Sequence, residues 1–266
     1  MLLEKQRDYI TPSHSRDLFF VIPKPPTAAE AFLLEITMPR DIIYILKPMK
    51  DAPELVYSLR SVERNFPHRL VWFIGSCPKG LKPDRFIPHD QAGQDKWSRI
   101  RSSMLKIITE PELSDEFFLF NDDFFVMKPV KRFAYNYADL TLTDRMTELR
   151  GTMNLPLNAY GRTLYKAREE LKGLGCGEVN FEVHLPMLFE KEKVPSIRKC
   201  SSPQMRSIYG NINGIKYRQK TDVKVYDLTT VPTDADYLST NDETFLKGAV
   251  GEYIRETFPD ASRFET

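Results

Sequence analysis

The chain has 266 residues, of which 38 are Lys or Arg and 37 are Asp or Glu, so its formal net charge is +1. A hydrophobic share of 41% is enough for a real core and excludes global disorder. The balanced charge excludes a global field for nucleic acid or an anionic membrane. Three scattered cysteines without a CxxC pair argue against a disulfide framework and a cysteine zinc site.

Localisation is predicted from the same features. The low cysteine content suits a reducing compartment. The N-terminus lacks the pattern of a signal peptide, and no stretch approaches the ~20 apolar residues that cross a bilayer. We therefore expect a cytoplasmic protein without a membrane span.

The chain is expected to form one domain with an extension before it. Residues 1–40 are predicted to be the N-terminal extension, with a strand at 17–22 and a short helix at 28–36. From residue 41 the pattern becomes regular, and 41–266 is predicted to be a single domain.

A strand–helix–strand pattern opens this domain. The apolar run 42–46 is typical of a strand buried on both faces. Asp51 is predicted to open a helix, with Pro53 in its first turn and Glu54 three residues on, close to a capping box. The second apolar run, 70–74, completes the signature of a right-handed parallel crossover.

Further elements follow with decreasing regularity. The pattern predicts helices at 97–108, 160–171 and 245–258, and strands at 117–120 and 223–228. The fold class expected is therefore α/β, with a mostly parallel central sheet flanked by helices. It divides into a first half, 41–130, and a second half, 131–266.

Two adjacent carboxylates follow the strand predicted at 117–120. Asp122 and Asp123 interrupt an apolar run, and burying them unpaired would cost several kcal/mol. A hard cation such as Mg²⁺ or Mn²⁺ removes that cost, and ligands of open α/β sheets bind at the carboxyl ends of strands. The alternative is a turn in which Asn121 and Asp122 cap the backbone.

Other candidates are individually weaker. His184 lies between apolar residues, either as a general acid/base or phosphate contact, or as a packed structural histidine. Lys47 follows the first strand, where phosphate-binding loops often lie, but no GxGxxG or GxxxxGK[ST] accompanies it. Arg206 alone would be a surface charge. The acidic cluster at 240–243 could be functional, or Thr240 could cap a helix.

These segments, in their order, resemble the stealth family of capsular and exopolysaccharide sugar-phosphate transferases, which is related to N-acetylglucosamine-1-phosphotransferase. ELVYSLRSVERNFP at 54–67 and FFLFNDDFFVMKPV at 117–130 look like parts of the family's long second block. Shorter matches follow: HLP at 184–186, QMRS at 204–207, NDE at 241–243 and FPDASRFE at 258–265. The similarity spans about residues 41–265.

The resemblance implies a fold, a reaction and a set of site residues. The fold would be the GT-A-like fold of nucleotide-sugar glycosyltransferases, with 41–130 as the nucleotide- and metal-binding half and 131–266 as the acceptor and catalytic half. Mg²⁺ or Mn²⁺ would be held by Asp122 and Asp123. Lys47 and Asn121 are assigned with them to the diphosphate of a nucleotide-sugar donor, with a UDP-sugar as the first choice. The residues implied at the reacting centre are His184, Arg206 and Asp242.

Two segments depart from the family pattern. LKPMK at 46–50 stands where the family has an aspartate–glycine motif, and KWSRIR at 96–101 replaces its Phe-Asn-Ser. Glycosyl transfer and sugar-phosphate transfer therefore both stay open, as do a metal-dependent phosphohydrolase and a non-catalytic binding module. The acceptor would be a polysaccharide, a teichoic-type polymer, a protein or a modified nucleobase. A nucleic acid is not indicated by the net charge.

Overall fold

The computed structural model of the protein describes residues 40–49, 51–90, 96–131, 133, 136–151 and 155–266. The compact unit that contains them runs from Ile36 to Thr266. The strand expected at 17–22 and the helix expected at 28–36 lie outside the described residues.

A five-stranded sheet with the order β3-β2-β1-β4-β7 forms the centre of the fold. Its strands are β1 (Asp41–Leu46), β2 (Val71–Gly75), β3 (Arg85–Pro88), β4 (Glu116–Phe120) and β7 (Met187–Glu190). The first four are parallel, and β7 pairs with β4 in the antiparallel direction. The expectation of an α/β fold with a mostly parallel central sheet is confirmed.

The remaining elements flank this sheet or extend it. The helices are α1 (Pro53–Asn65), α2 (Lys96–Ile107), α3 (Leu142–Arg150), α4 (Ala159–Gly173), α5 (Met205–Ile212), α6 (Asp242–Lys247) and α7 (Ala249–Thr257). A 3₁₀ helix covers Lys191–Lys199. Two small sheets pair β5 (Phe124–Val126) with β9 (Tyr237–Ser239) and β6 (Asn136–Ala138) with β8 (Tyr217–Gln219).

Both faces of the sheet are buried, which explains the continuous apolar runs in its strands. Ile42 and Tyr44 on one face pack with residues of α1 such as Leu59. Ile43 on the other face packs with Met104 of α2 and Tyr209 of α5. The described residues contain no helix that is both long and apolar enough to cross a membrane.

Three expectations about local structure are wrong. The strand expected at 223–228 is reduced to a single parallel bridge, Lys224 to Ser239, which is formed by the backbone bonds of Val223 and Val225 to Ser239. The helix expected at 245–258 is interrupted at Gly248, whose extended backbone ends α6 and begins α7. The capping box expected at Thr240 lies one residue later, where Asn241 and Thr244 exchange hydrogen bonds.

The other expected cap, at Asp51, is also absent. Ala52 is the N-cap of α1 and makes no side-chain cap bond. Glu54 bonds across the fold instead: the Thr240 hydroxyl donates to Glu54 Oε1 at 2.6 Å. Two residues expected to cap separate helices therefore bond to each other and join α1 to the segment before α6.

Candidate active site

A cleft of about 570 Å³ opens beyond the carboxyl ends of β1 and β4. This is the edge of a parallel sheet at which α/β proteins bind ligands. Six of the residues singled out in the sequence line it: Lys47, Asn121, Asp122, Asp123, His184 and Arg206. Residues from both halves of the chain thus meet in one place.

The two carboxylates after β4 have different surroundings. Asp123 is buried, and its Oδ2 accepts a bond from Lys224 Nζ at 2.7 Å. Its Oδ1 is buried without a hydrogen-bond partner among the described residues. Burial, followed by the charge of Asp123, raises the pKa of Asp122. Burial and the charge of Asp123 thus both oppose ionisation of Asp122, against the charges of Lys47 and Lys224.

Arg206 is buried behind this pair, in the first turn of α5. Its guanidinium donates to the Leu185 carbonyl at 2.7 Å and to Asn121 Oδ1 at 3.0 Å. The guanidinium carbon also lies 5.3 Å from the centre of the Phe124 ring. Burial lowers the pKa of Arg206, against the charges of Glu182 and Asp123. Asn121 thus positions a buried cation, which a simple turn cap would not do.

His184 forms a pair with Asp222. Its Nδ1 lies 2.8 Å from Asp222 Oδ2 and 2.9 Å from Oδ1, and its backbone N–H also donates to Asp222. Burial works against ionisation of Asp222, but the bonds from His184 outweigh it and hold the pKa of that carboxyl below its usual range. An ionised carboxylate only accepts, so Nδ1 carries a proton and Nε2 is free to accept one in neutral histidine.

Asp242 does not line the cleft. It lies in the first turn of α6, behind Glu54. Burial raises the pKa of Glu54 to about 7, with further contributions from the charge of Asp123 and a hydrogen bond to Asp242. Glu54 therefore links Asp242 to the acidic pair.

Several cleft residues carried no signal in the sequence. Lys224 lies on the strand predicted at 223–228 and Asp222 directly precedes it, but neither residue forms part of a motif, and the fold brings them to Asp123 and His184. Glu182 accepts the N–H of Ser207 at 2.9 Å, and burial raises its pKa. Further cationic and aromatic side chains also line the cleft: Arg99, Arg145, Tyr160 and Tyr226.

The acidic pair fits a divalent cation that is shared with a ligand. No group of three or more His, Cys, Asp or Glu residues suited to a metal occurs in the part of the chain that the structure describes. Mg²⁺, however, is usually bound by one or two carboxylates together with substrate phosphates and water. Asp122 and Asp123, with one unpartnered buried oxygen, supply that smaller ligand set.

Comparison with known proteins adds no assignment. No protein-family model matches the chain, and no curated protein matches it in sequence. Its function is therefore inferred from the residues of the cleft.

Proposed function

We propose that this protein is a metal-dependent transferase with a GT-A-like fold, which moves a sugar or sugar-1-phosphate from a nucleotide-sugar donor to an acceptor hydroxyl. One observation carries the proposal: a single cleft combines an acidic pair that has an unpartnered buried oxygen, a buried arginine and a histidine–aspartate pair. The resemblance to the stealth family supports the same assignment.

The donor diphosphate would lie against the ends of β1 and β4. Asp122 and Asp123 would hold Mg²⁺ or Mn²⁺, which neutralises diphosphate charge when bound. Lys47 follows the end of β1 and lines the same cleft. Its positive charge lowers the pKa of Asp122, which burial raises. Arg206, fixed by carbonyls and Asn121, offers an oriented cation for charge that develops on the leaving phosphate.

The acceptor hydroxyl would lie against His184. The Nε2 lone pair can take the hydroxyl proton, while Asp222 holds the ring in the required tautomer and stabilises the imidazolium that forms. The deprotonated oxygen then bonds to the anomeric carbon in glycosyl transfer, or to the β-phosphorus in sugar-phosphate transfer. The nucleoside diphosphate leaves in the first reaction and the nucleoside monophosphate in the second.

Thermal unfolding with nucleotides tests the donor site. UDP, GDP, CDP and ADP are each added with and without Mn²⁺, and we expect one of them to raise the Tm only with the metal. A flat response to all four would contradict the proposal. The Asp123→Asn variant should fold normally and lose the metal-dependent rise, since it keeps the side-chain shape without the charge.

Mass analysis of the acceptor product distinguishes the reactions. A gain of one hexose indicates glycosyl transfer, and a gain of hexose plus phosphate indicates sugar-phosphate transfer. Release of phosphate without any acceptor product would favour the phosphohydrolase. Binding without turnover would favour the binding module, in which the His184–Asp222 pair has no chemical task.

A further inference from the structure

Lys224 and Asp123 form a buried ion pair inside the cleft. The Nζ to Oδ2 distance is 2.7 Å, and only 14% and 12% of the two side chains are exposed. The charge of Asp123 raises the pKa of Lys224 although burial lowers it. One oxygen of Asp123 is thus paired with the lysine ammonium, while the other has no hydrogen-bond partner among the described residues.

The backbone around Lys224 is fixed by neighbouring elements. The Val225 N–H donates to the Ser239 carbonyl at 2.8 Å, and the Lys224 N–H donates to Asp222 Oδ1 at 3.2 Å. Ser239 also pairs with Phe124, the residue after Asp123. Strand β9 therefore sets Lys224 beside Asp123, and only the flexible lysine side chain can change partners.

A divalent cation on the acidic pair would oppose this contact. Two cations on one carboxylate repel each other, most strongly where little water screens them. The ammonium of Lys224 would then require another anionic partner within reach. The other carboxylates nearby already accept bonds: Asp222 from His184, Glu182 from the Ser207 N–H and Glu54 from the Thr240 hydroxyl. A ligand with oxyanions supplies a further partner, and phosphate is an anion that lysine ammonium groups commonly bind.

We propose that Lys224 is a phosphate-binding residue that exchanges partners: Asp123 holds its ammonium until a divalent cation takes that carboxylate, and a diphosphate then receives it. The inference rests on the proposed function and extends it. The lysine keeps Asp123 neutralised while the cation is absent. It contributes to ligand affinity only after the cation has bound.

Inorganic pyrophosphate is the probe, because it is the part common to every nucleotide-sugar. Its affinity is measured by titration calorimetry in EDTA for wild type, Asp123→Asn, Lys224→Met and the double variant. Asp123→Asn removes the carboxylate partner of Lys224 and releases the lysine side chain. The variant should therefore bind pyrophosphate at least about threefold more tightly than wild type. A change of this size corresponds to the smaller coupling energies measured between contacting residues. The double variant should lose this gain.

Two matched controls separate release of Lys224 from a general change of charge. Asp122→Asn removes the same charge from the same cleft but does not release Lys224, so its gain should be smaller and should change less on adding Lys224→Met. Lys216→Met, at an exposed position, should leave the gain of Asp123→Asn intact. Circular dichroism and the Tm verify that each variant is folded.

Binding of Mn²⁺ alone, followed by electron paramagnetic resonance, tests the exchange. Lys224→Met should bind Mn²⁺ more tightly than wild type, because the competing cation is gone. Equal pyrophosphate gains in the two Asp variants, or a gain that survives in the double variant, would overturn the role of Lys224. Unchanged Mn²⁺ affinity in Lys224→Met would overturn the exchange alone. Because the proposed cation is shared with a ligand, the Mn²⁺ titration of wild type is run both without and with pyrophosphate. Failure of wild type to bind Mn²⁺ in both conditions would overturn the metal dependence of the proposed function and the exchange with it.

Discussion

At the scale of single residues, the orientation of His184 depends on Asp222. The Nδ1–H of the ring lies within hydrogen-bond distance of both carboxylate oxygens, and the backbone N–H of His184 donates to one of them. The Asp222 carboxylate also accepts the Lys224 N–H, so one side chain organises both the proposed base and the segment that carries the lysine. Because the Asn side chain keeps an oxygen that can accept the Lys224 N–H, Asp222→Asn should affect chemistry more than binding.

Asp222→Asn is expected to lower kcat by about 10²–10⁴, the usual contribution of a positioned general base. The amide of the introduced asparagine would donate to Nδ1 of His184, so the ring proton would lie on Nε2. Nε2 could then no longer take the proton of the acceptor hydroxyl. Initial rates with the nucleotide-sugar that stabilises the protein measure the effect. The Mn²⁺-dependent Tm rise with the nucleoside diphosphate should persist. A kcat within twofold of wild type would contradict the assignment.

Glu54 makes stability depend on pH. Its folded pKa of about 7 lies above the unfolded value of about 4.3, so its stabilising contribution is full below pH 4.3 and is lost as pH rises through 7. Glu54→Gln stays neutral and keeps the acceptor for Thr240. The free energy of unfolding of the variant, relative to wild type, should increase between pH 5 and 8 by up to about 3 kcal/mol.

Urea unfolding at pH 5 and at pH 8 measures this difference. Glu243→Gln is the control, because that carboxylate lies exposed on α6. Parallel pH profiles for wild type and Glu54→Gln would show that burial of Glu54 does not raise its pKa.

The sequence identified the acidic pair because charges inside an apolar run have few structural explanations. Asp122 and Asp123 interrupt such a run, and the fold places them in the cleft. Asp222 and Lys224 could not be identified, since single charged residues in or beside a short strand are normal on any surface. Lys224 comes to Asp123 because it bridges to Ser239 of β9, which also pairs with Phe124, the residue after Asp123.

At the scale of elements, the junction of α6 and α7 is packed closely. A Cβ added to Gly251 would lie 1.8 Å from the carbonyl oxygen of Phe245. Backbone, unlike the end of a flexible side chain, cannot move aside cheaply. Helix periodicity alone predicted one continuous helix here, because the constraint lies in backbone contact rather than in the apolar pattern.

Gly251→Ala should reduce the free energy of unfolding by about 1–3 kcal/mol or more, the usual cost of overpacking. Gly173→Ala is the matched control. It lies in the last turn of α4, where an added Cβ meets nothing within 4 Å, and should stabilise by about 0.5–1 kcal/mol. Chemical denaturation of both variants checks the opposite signs. A neutral Gly251→Ala would contradict the close contact.

Strands differ in how well sequence predicts them. β1, β2 and β4 were recognised because a strand buried on both faces is apolar throughout. β3 is largely exposed and contains a proline, and β7 has only four residues. Such short edge strands form because a neighbouring strand is present to pair with them. Their own residues therefore do not predict them.

At the scale of the whole molecule, the end of the sheet opposite the cleft is held by Asp41. Its buried carboxylate accepts bonds from Arg69 Nε at 2.8 Å, Trp72 Nε1 at 3.0 Å and the Ser114 N–H at 3.0 Å. These contacts join β1, β2 and the segment before β4. The bonds of Asp41 and the cleft proposed to bind the donor thus lie at opposite ends of the same strands.

Asp41→Asn should reduce the free energy of unfolding by about 3 kcal/mol, because it leaves buried donors without an ionised acceptor. The exposed Arg85–Glu112 pair offers a contrast, and Glu112→Gln should cost much less than Asp41→Asn because water screens an exposed pair. Urea unfolding measures both. The folded Asp41→Asn protein should bind Mn²⁺ and pyrophosphate like wild type. Equal costs for the two variants would contradict a central role for Asp41.

The antiparallel pairing of β7 with β4 also affects how the chain reaches this fold. During synthesis β1, β2 and β4 emerge early, but the hydrogen-bonding edge of β4 stays uncovered until residues 187–190 follow. That edge belongs to a nearly all-apolar strand, a ready template for pairing between nascent chains. A fragment that stops at residue 130 should therefore aggregate rather than fold. Recovery of the 266-residue chain should improve when expression is low and chaperones are abundant, because fewer nascent chains then expose this edge to one another.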